Sequence, residues 1–169
     1  MAAARAAMTA AARSSVRGMA QICGFHHVSL PASDLDRSSD WYERVFSFRR
    51  VLIEEDEDRV TMVMLEHPEG MLLCLHQSPD LGQAWHGLDN AVAVLSFRVA
   101  SRADLVAWDE RLAELQTEHS GPRQAHLGWA LDVLDPSGLR IQLHEDEAYA
   151  AAGVGRHAVP AAVARSQAR

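Results

Sequence analysis

Apolar and polar residues alternate along residues 72–76 and again along 140–144, two stretches that each follow a Pro-x-Gly turn. In the first, Leu73 and Leu75 point one way while Cys74 and His76 point the other; in the second, Ile141 and Leu143 oppose Gln142 and His144. A period of two marks a strand with one face buried. A shift of 68 positions lays Pro68 on Pro136, Gly70 on Gly138, Leu75 on Leu143 and His76 on His144. A shift of 67 aligns the segments that open each copy, pairing Ser29 with Ser96, Trp41 with Trp108, Glu43 with Glu110 and Arg44 with Arg111. The chain therefore contains one unit written twice.

Within the first copy, residues 25–30 read as a strand with Val28 and Leu30 on one face and His27 and Ser29 on the other, ended by Pro31. Ser33 or Asp34 caps a helix running to about residue 48, whose buried stripe is Leu35, Trp41, Tyr42, Val45 and Phe46. Residues 49–54 and 59–65 form a hairpin around five consecutive acids, 54–58. That acidic run reads as a solvated tip, since a calcium loop needs a set ligand spacing and a glycine. The turn at 68–70 and the strand to residue 77 complete a βαβββ unit. The second copy repeats the plan with a strand at 92–99 and a helix at 102–115 carrying Leu105, Trp108, Leu112 and Leu115. Short strands at 116–120 and 126–134 follow, with Gly121-Pro122 between them, and the strand after Gly138 comes last.

These elements predict an α+β fold of two βαβββ modules, residues 24–77 and 92–147, joined by a connector at 78–91. Trp85 and His86 in that connector either form a flap over a site or pin the linker to the surface. One helix covers one sheet face in each module, so the other face is left bare. Two modules side by side then make an eight-stranded, cup-shaped mixed sheet with the helices outside. A ligand belongs in such a cup. By alternation its floor holds His27, Ser29, Cys74, His76, Val94, Ser96, Arg98, Gln142 and His144, with Gly128 and Trp129 near the mouth as a platform for a planar group. Arg98 is suited to fix a carboxylate or phosphonate, or else pairs with a neighbouring acid.

Charge and ends narrow the choice of partner. All 23 acids lie between Asp34 and Glu147, a span holding only ten of the 16 arginines, so the body is acidic and nucleic acid is excluded as a partner. No apolar run approaches the roughly 18 residues of a membrane span. Two cysteines, Cys23 and Cys74, make neither a disulfide framework nor a Cys-x-x-Cys clamp, which points to a reducing, cytoplasmic setting. Residues 1–23 contain arginines but no acid. That composition suits an overlong start or disordered extension, with a targeting segment as the alternative. The Ala-rich residues 148–169 are expected to form a mobile tail.

The run His27-Val-Ser-Leu-Pro-Ala-Ser-Asp-Leu-Asp-Arg-Ser-Ser-Asp-Trp-Tyr, followed by Asp135-Pro-Ser-Gly-Leu-Arg-Ile-Gln-Leu, resembles the vicinal oxygen chelate superfamily. Glyoxalase I, extradiol dioxygenases, fosfomycin-resistance transferases and bleomycin-resistance proteins are members. The resemblance spans both modules and implies the same cup. It also implies metal ligands on the first and last strands of each module, places that hold His27, Cys74, Val94 and Gln142 here. Valine cannot ligate and glutamine is a weak neutral donor, so the charge balance for a divalent Lewis acid is missing. A displaced site built from His27, His76 and His144 is the alternative, although a two-residue strand step of about 6.5–7 Å works against it.

The expectation that follows is a glyoxalase-like or bleomycin-resistance-like protein that binds a small organic ligand without a cofactor. The competing reading is a metal-dependent lyase, isomerase or ring-cleaving dioxygenase using Zn, Fe, Mn or Ni. The resemblance further implies a homodimer, formed side by side or by module exchange.

Overall fold

A computed structural model of the chain describes residues 24–79, 92–126, 128–147 and 151. The expected N-terminal extension, Trp85 and His86 of the connector, and the tail apart from residue 151 lie outside the described residues. Strand β1 (Val28–Ala32) leads into helix α1 (Leu35–Phe46), followed by β2 (Arg49–Asp56), β3 (Arg59–Glu66) and β4 (Leu72–Gln77). The second copy runs β5 (Leu95–Val99), α2 (Arg102–Glu114), β6 (Arg123–Gln124), β7 (Trp129–Leu134) and β8 (Arg140–Glu145). The eight strands form two four-stranded mixed sheets of identical plan, β1-β4-β3-β2 and β5-β8-β7-β6. In each, the first and last strands of the module pair in parallel and the rest are antiparallel.

Local chemistry sets the boundaries. Asp34, in extended conformation, caps α1 by accepting from the Arg37 N–H, and the helix stops at Ser47 in the left-handed region (φ 61°), so it ends before the expected residue 48. A full capping box of Ser101 and Asp104 starts α2. Both Pro-x-Gly turns close in the same way, Gly70 N–H donating to His67 O at 2.8 Å and Gly138 N–H to Asp135 O at 2.9 Å. Each glycine has φ near 80°, a conformation that costs other residues strain. The acidic run ends in a tight hairpin, Glu57 and Asp58 both at positive φ, which keeps the like charges in solvent.

Several expected boundaries move. The first strand begins at Val28 and passes through Pro31. Proline is tolerated there because β1 is an edge strand and Pro31 still stands opposite His76. The second module's first strand begins at Leu95. The strand expected at 116–120 reduces to one bridge, His119 to Val133, because Gln116 turns left-handed (φ 52°) and Pro122 has no N–H to extend the ladder.

Leu30, Val63, Leu65, Leu73 and Leu75 in one sheet and Leu131, Val133, Ile141 and Leu143 in the other face the helices and are buried in one shared core. Fully burying one such side chain stabilises by about 1.5–3 kcal/mol. The modules meet on this helix side. Phe46 at the end of α1 packs on Phe97 of β5 (ring centroids 5.0 Å) and on Trp108 of α2 (5.5 Å). Tyr42 donates its hydroxyl to Asp135 at 3.2 Å, across the module boundary and fully buried. Burial, then the nearby Asp135 charge, push the phenol well above its usual range, so it stays a donor. Ser33 N–H donates to Ser137 Oγ at 3.1 Å nearby.

Candidate functional site

With the two described helices and the shared core on one side, the opposite face of each sheet packs against neither of those helices, and there the two copies can be compared position by position. Cross-strand partners share a face. On the first sheet Pro31, His76 and Met62 form one row and Ser29, Cys74 and Met64 the next. On the second, Arg98, His144 and Ala130 form one row and Ser96, Gln142 and Asp132 the next. The pairing register of the two modules is the same, so each position in one row has its counterpart in the other.

The second open face carries an ionic lattice centred on Asp132, which is 2% exposed. Its Oδ2 accepts from Arg123 Nε at 2.8 Å, is also bonded by the Arg123 terminal nitrogen, and lies 3.1 Å from a terminal nitrogen of Arg140. Its Oδ1 accepts from Gln142 Nε2 at 2.6 Å. Ser120 ties the same residue down through its backbone, donating its N–H to Asp132 O at 2.8 Å and accepting the Asp132 N–H on its hydroxyl at 3.0 Å. Taking a carboxylate out of water is costly unless it is paired and hydrogen-bonded, and both conditions are met here. His144 stands two positions along β8 from Gln142. Burial, reinforced by Arg123 and opposed by Asp132 and Glu145, holds its imidazole below the ordinary histidine range. It is therefore a neutral donor-acceptor at pH 7.

The first open face is built from sulfur. Met62 and Cys74 are buried, Met64 half-buried and His76 exposed. Burial pushes the Cys74 thiol up, keeping it protonated.

Of the nine residues expected on the cup floor, seven stand in these rows and two, His27 and Val94, lie outside the strands. Ser29, Cys74, His76, Ser96, Gln142 and His144 sit in the rows described. Arg98 shares the His144 row but is 56% exposed at its side chain and lies 3.6 Å from Asp146, which is the acid-paired alternative. Val94 lies just before β5, its N–H donating to Arg140 O at 2.9 Å. His27 precedes β1, is exposed, and has its Nδ1 2.6 Å from that of His26. Trp129, expected near the cup mouth, is on the other side. Its neighbour Ala130 pairs with His144 on the open face, so Trp129 points with Leu131 towards the helix, where the Arg102 guanidinium lies 3.5 Å over its ring. The site residues not anticipated are Asp132, Arg123, Arg140, Met62 and Met64. The pairing register places Asp132 beside Gln142 and Met64 beside Cys74; an isolated carboxylate within Trp-Ala-Leu-Asp-Val-Leu was the available signal.

The donors do not suit a hard divalent ion. Among the described residues no three His, Cys, Asp or Glu side chains gather as a metal would require. His76 and His144 stand on different sheets, and the Gln142 amide is already spent on Asp132. A groove of about 710 Å³ also runs between α1 and the residues after α2, past Arg37, Arg44, Gln116 and Glu118. It is shallow, and the carboxylate of Asp135 on its wall is occupied by the backbone N–H groups of Ser137 and Leu139. Its chemistry is that of a module junction.

Two βαβββ modules of one plan, each with its helix packed on one face of its own four-stranded sheet, define the class of fold to which the chain belongs. The chain belongs to the Glyoxalase/Bleomycin resistance protein/Dioxygenase superfamily, whose profile matches residues 24–143. Among solved structures it is similar to a glyoxylase/bleomycin resistance protein/dioxygenase domain from Frankia sp. EAN1pec, at 24% identity and a TM-score of 0.61 over 74% of this chain and 98% of that one. It is similar also to the fosfomycin resistance protein FosX of Listeria monocytogenes, solved with Mn(II) and sulfate (16% identity, TM-score 0.57, 78% of this chain and 99% of that one). A third is lactoylglutathione lyase from Agrobacterium tumefaciens (17%, TM-score 0.56, 75% and 96%). At these identities the likeness establishes the fold. No curated protein matches the sequence. No helix among the described residues is long and apolar enough to cross a membrane.

Proposed function

We propose that this protein binds a small organic molecule against its open sheet faces, in a cytoplasmic setting and without a catalytic divalent metal. One observation carries the reading. A carboxylate 2% exposed is held by two arginines and a glutamine on the sheet face opposite the described helices. Such a lattice fixes Gln142 and positions it beside neutral His144, giving a pre-organised polar end for a ligand. The Met-lined first face supplies polarisable, adaptable apolar contact for the remainder. The metal-dependent lyase, isomerase or dioxygenase alternative finds no support in the donor set, since Val94 and Gln142 stand where ligands would be needed.

The ligand's seat is completed in a homodimer. Support comes from β2, an edge strand on which Val51, Leu52 and Ile53 stay exposed, the last two at 51%. An uncovered apolar edge of this kind invites pairing with a second copy. Light scattering on the eluting protein distinguishes dimer from monomer.

A thermal-shift panel of thiol conjugates, catechols, antibiotics and divalent metals tests the main reading. A stabilising organic compound whose affinity falls tenfold or more in both His144→Ala and Gln142→Ala is the expected result. Elemental analysis finding one transition metal per chain in cleanly purified protein would contradict it.

A further inference from the structure

We propose that the open face of the first sheet is a site for a soft monovalent metal ion of the Cu(I) class, held by Cys74, Met64, Met62 and His76. The site goes beyond the small-molecule reading and does not depend on it. The observation is a juxtaposition: Met64 stands directly across from Cys74 and Met62 directly across from His76, on adjacent strands and on one face. One thiol, two thioethers and one imidazole thus occupy the corners of a single square. Directly opposed side chains have Cβ atoms about 4.5–5.5 Å apart, and the two rows are about 6.5–7 Å apart along the strands. Methionine is unbranched with three rotatable bonds, so both thioethers can swing to the centre, and the imidazole is long enough to reach it from the second row.

The donor type then selects the ion. Thiolate and thioether ligands favour Cu(I), whereas hard divalent ions call for carboxylate, carbonyl and water, none of which is at a corner of the square. His76 is exposed while Cys74 is 2% exposed, so an ion enters on the imidazole side and comes to rest on the thiol. The corresponding square of the second sheet is Ala130, Asp132, Gln142 and His144, which contains no sulfur. The sulfur cluster is therefore a property of this module and not a consequence of the fold. Binding exchanges a proton for the ion. The S–H bond of Cys74 breaks, an S–Cu bond forms, the proton goes to solvent, and no group changes oxidation state.

The test uses the full chain with Cys23→Ser, so that a single thiol remains, and Cu(I) supplied as its bicinchoninate complex. The expected result is withdrawal of one Cu(I) per chain from the chromophore with release of one proton, undisturbed by Zn(II) or Mn(II). Cys74→Ser abolishes withdrawal, and Met64→Leu and Met62→Leu each weaken it about tenfold or more. These swaps keep volume and apolarity, so the fold survives them, which circular dichroism verifies. Met71→Leu, on the turn before β4, changes nothing. Two results overturn the proposal: Cu(I) that stays with bicinchoninate, or a Met62→Leu/Met64→Leu double variant that binds as tightly as the parent, which would leave only ordinary thiol reactivity.

Discussion

The two open faces share a lattice and differ in almost everything placed on it. Met62, Met64 and Cys74 of the first module correspond to Ala130, Asp132 and Gln142 of the second, with His76 and His144 in the same place on both. On the helix side the two copies remain alike: Leu65 and Val133, Leu73 and Ile141, and Leu75 and Leu143 are buried in one core. Packing against a helix holds a position to one shape and polarity, since cores tolerate little change in volume. The opposite face packs against neither described helix and is free of that particular constraint. One copy kept it soft and apolar, the other converted it into a fixed ionic network, and together they present a molecule with a polar and an apolar end to two different kinds of surface.

The most severe way to break this contrast is Asp132→Ala. It removes the carboxylate that pairs with Arg123 and with buried Arg140, and removing one partner of a buried ion pair costs about 3–5 kcal/mol. Urea unfolding measures the loss. Met64→Ala removes the counterpart in the first module and, at a half-buried site without charge, costs about 1–2 kcal/mol. Equal losses in the two variants would mean that the lattice contributes no more than packing.

His144 sharpens the comparison through pH. Its folded pKa lies below the ordinary value, so the unfolded chain takes up a proton first as pH falls. Stability from this group is therefore intact above about pH 6.5 and declines from there down to the folded pKa, where the decline stops. His144→Gln should flatten that part of the curve of melting temperature against pH. The smallest effect belongs to Arg98→Ala. Its pair with Asp146 is exposed on both sides, so the expected loss is about 0–1 kcal/mol and disappears with added salt.

Much of this was legible in the sequence because duplication and a period of two are strong signals. Leu75 with Leu143 and His76 with His144 announced two equivalent strands, and the alternation put Cys74, Gln142 and both histidines on the uncovered side. The failures have local causes. Trp129, expected at the mouth, lies instead on the helix side, the face that a period of two through Trp129, Leu131 and Val133 assigns it. Arg123 belongs to a strand of only two residues, too short to show a period. That Arg123, Asp132 and Arg140 would meet depends on the β6-β7-β8 register, and pairing partners separated by up to 14 positions are not written in any one segment. The turn residues gave no such trouble, since Pro68-x-Gly70 and Pro136-x-Gly138 dictate their geometry by themselves.

The central claim is that the bare sheet faces, and not the groove at the module junction, hold the ligand. Methyl-labelled methionine NMR reads it directly, because Met62 and Met64 lie on one face and Met71 lies apart from both. Titrating a stabilising compound from the thermal-shift panel should move the Met62 and Met64 methyl signals and the His144 ring protons while Met71 stays still. A compound that binds with those signals unmoved, and with undiminished affinity for His144→Ala, would show that the ligand sits elsewhere.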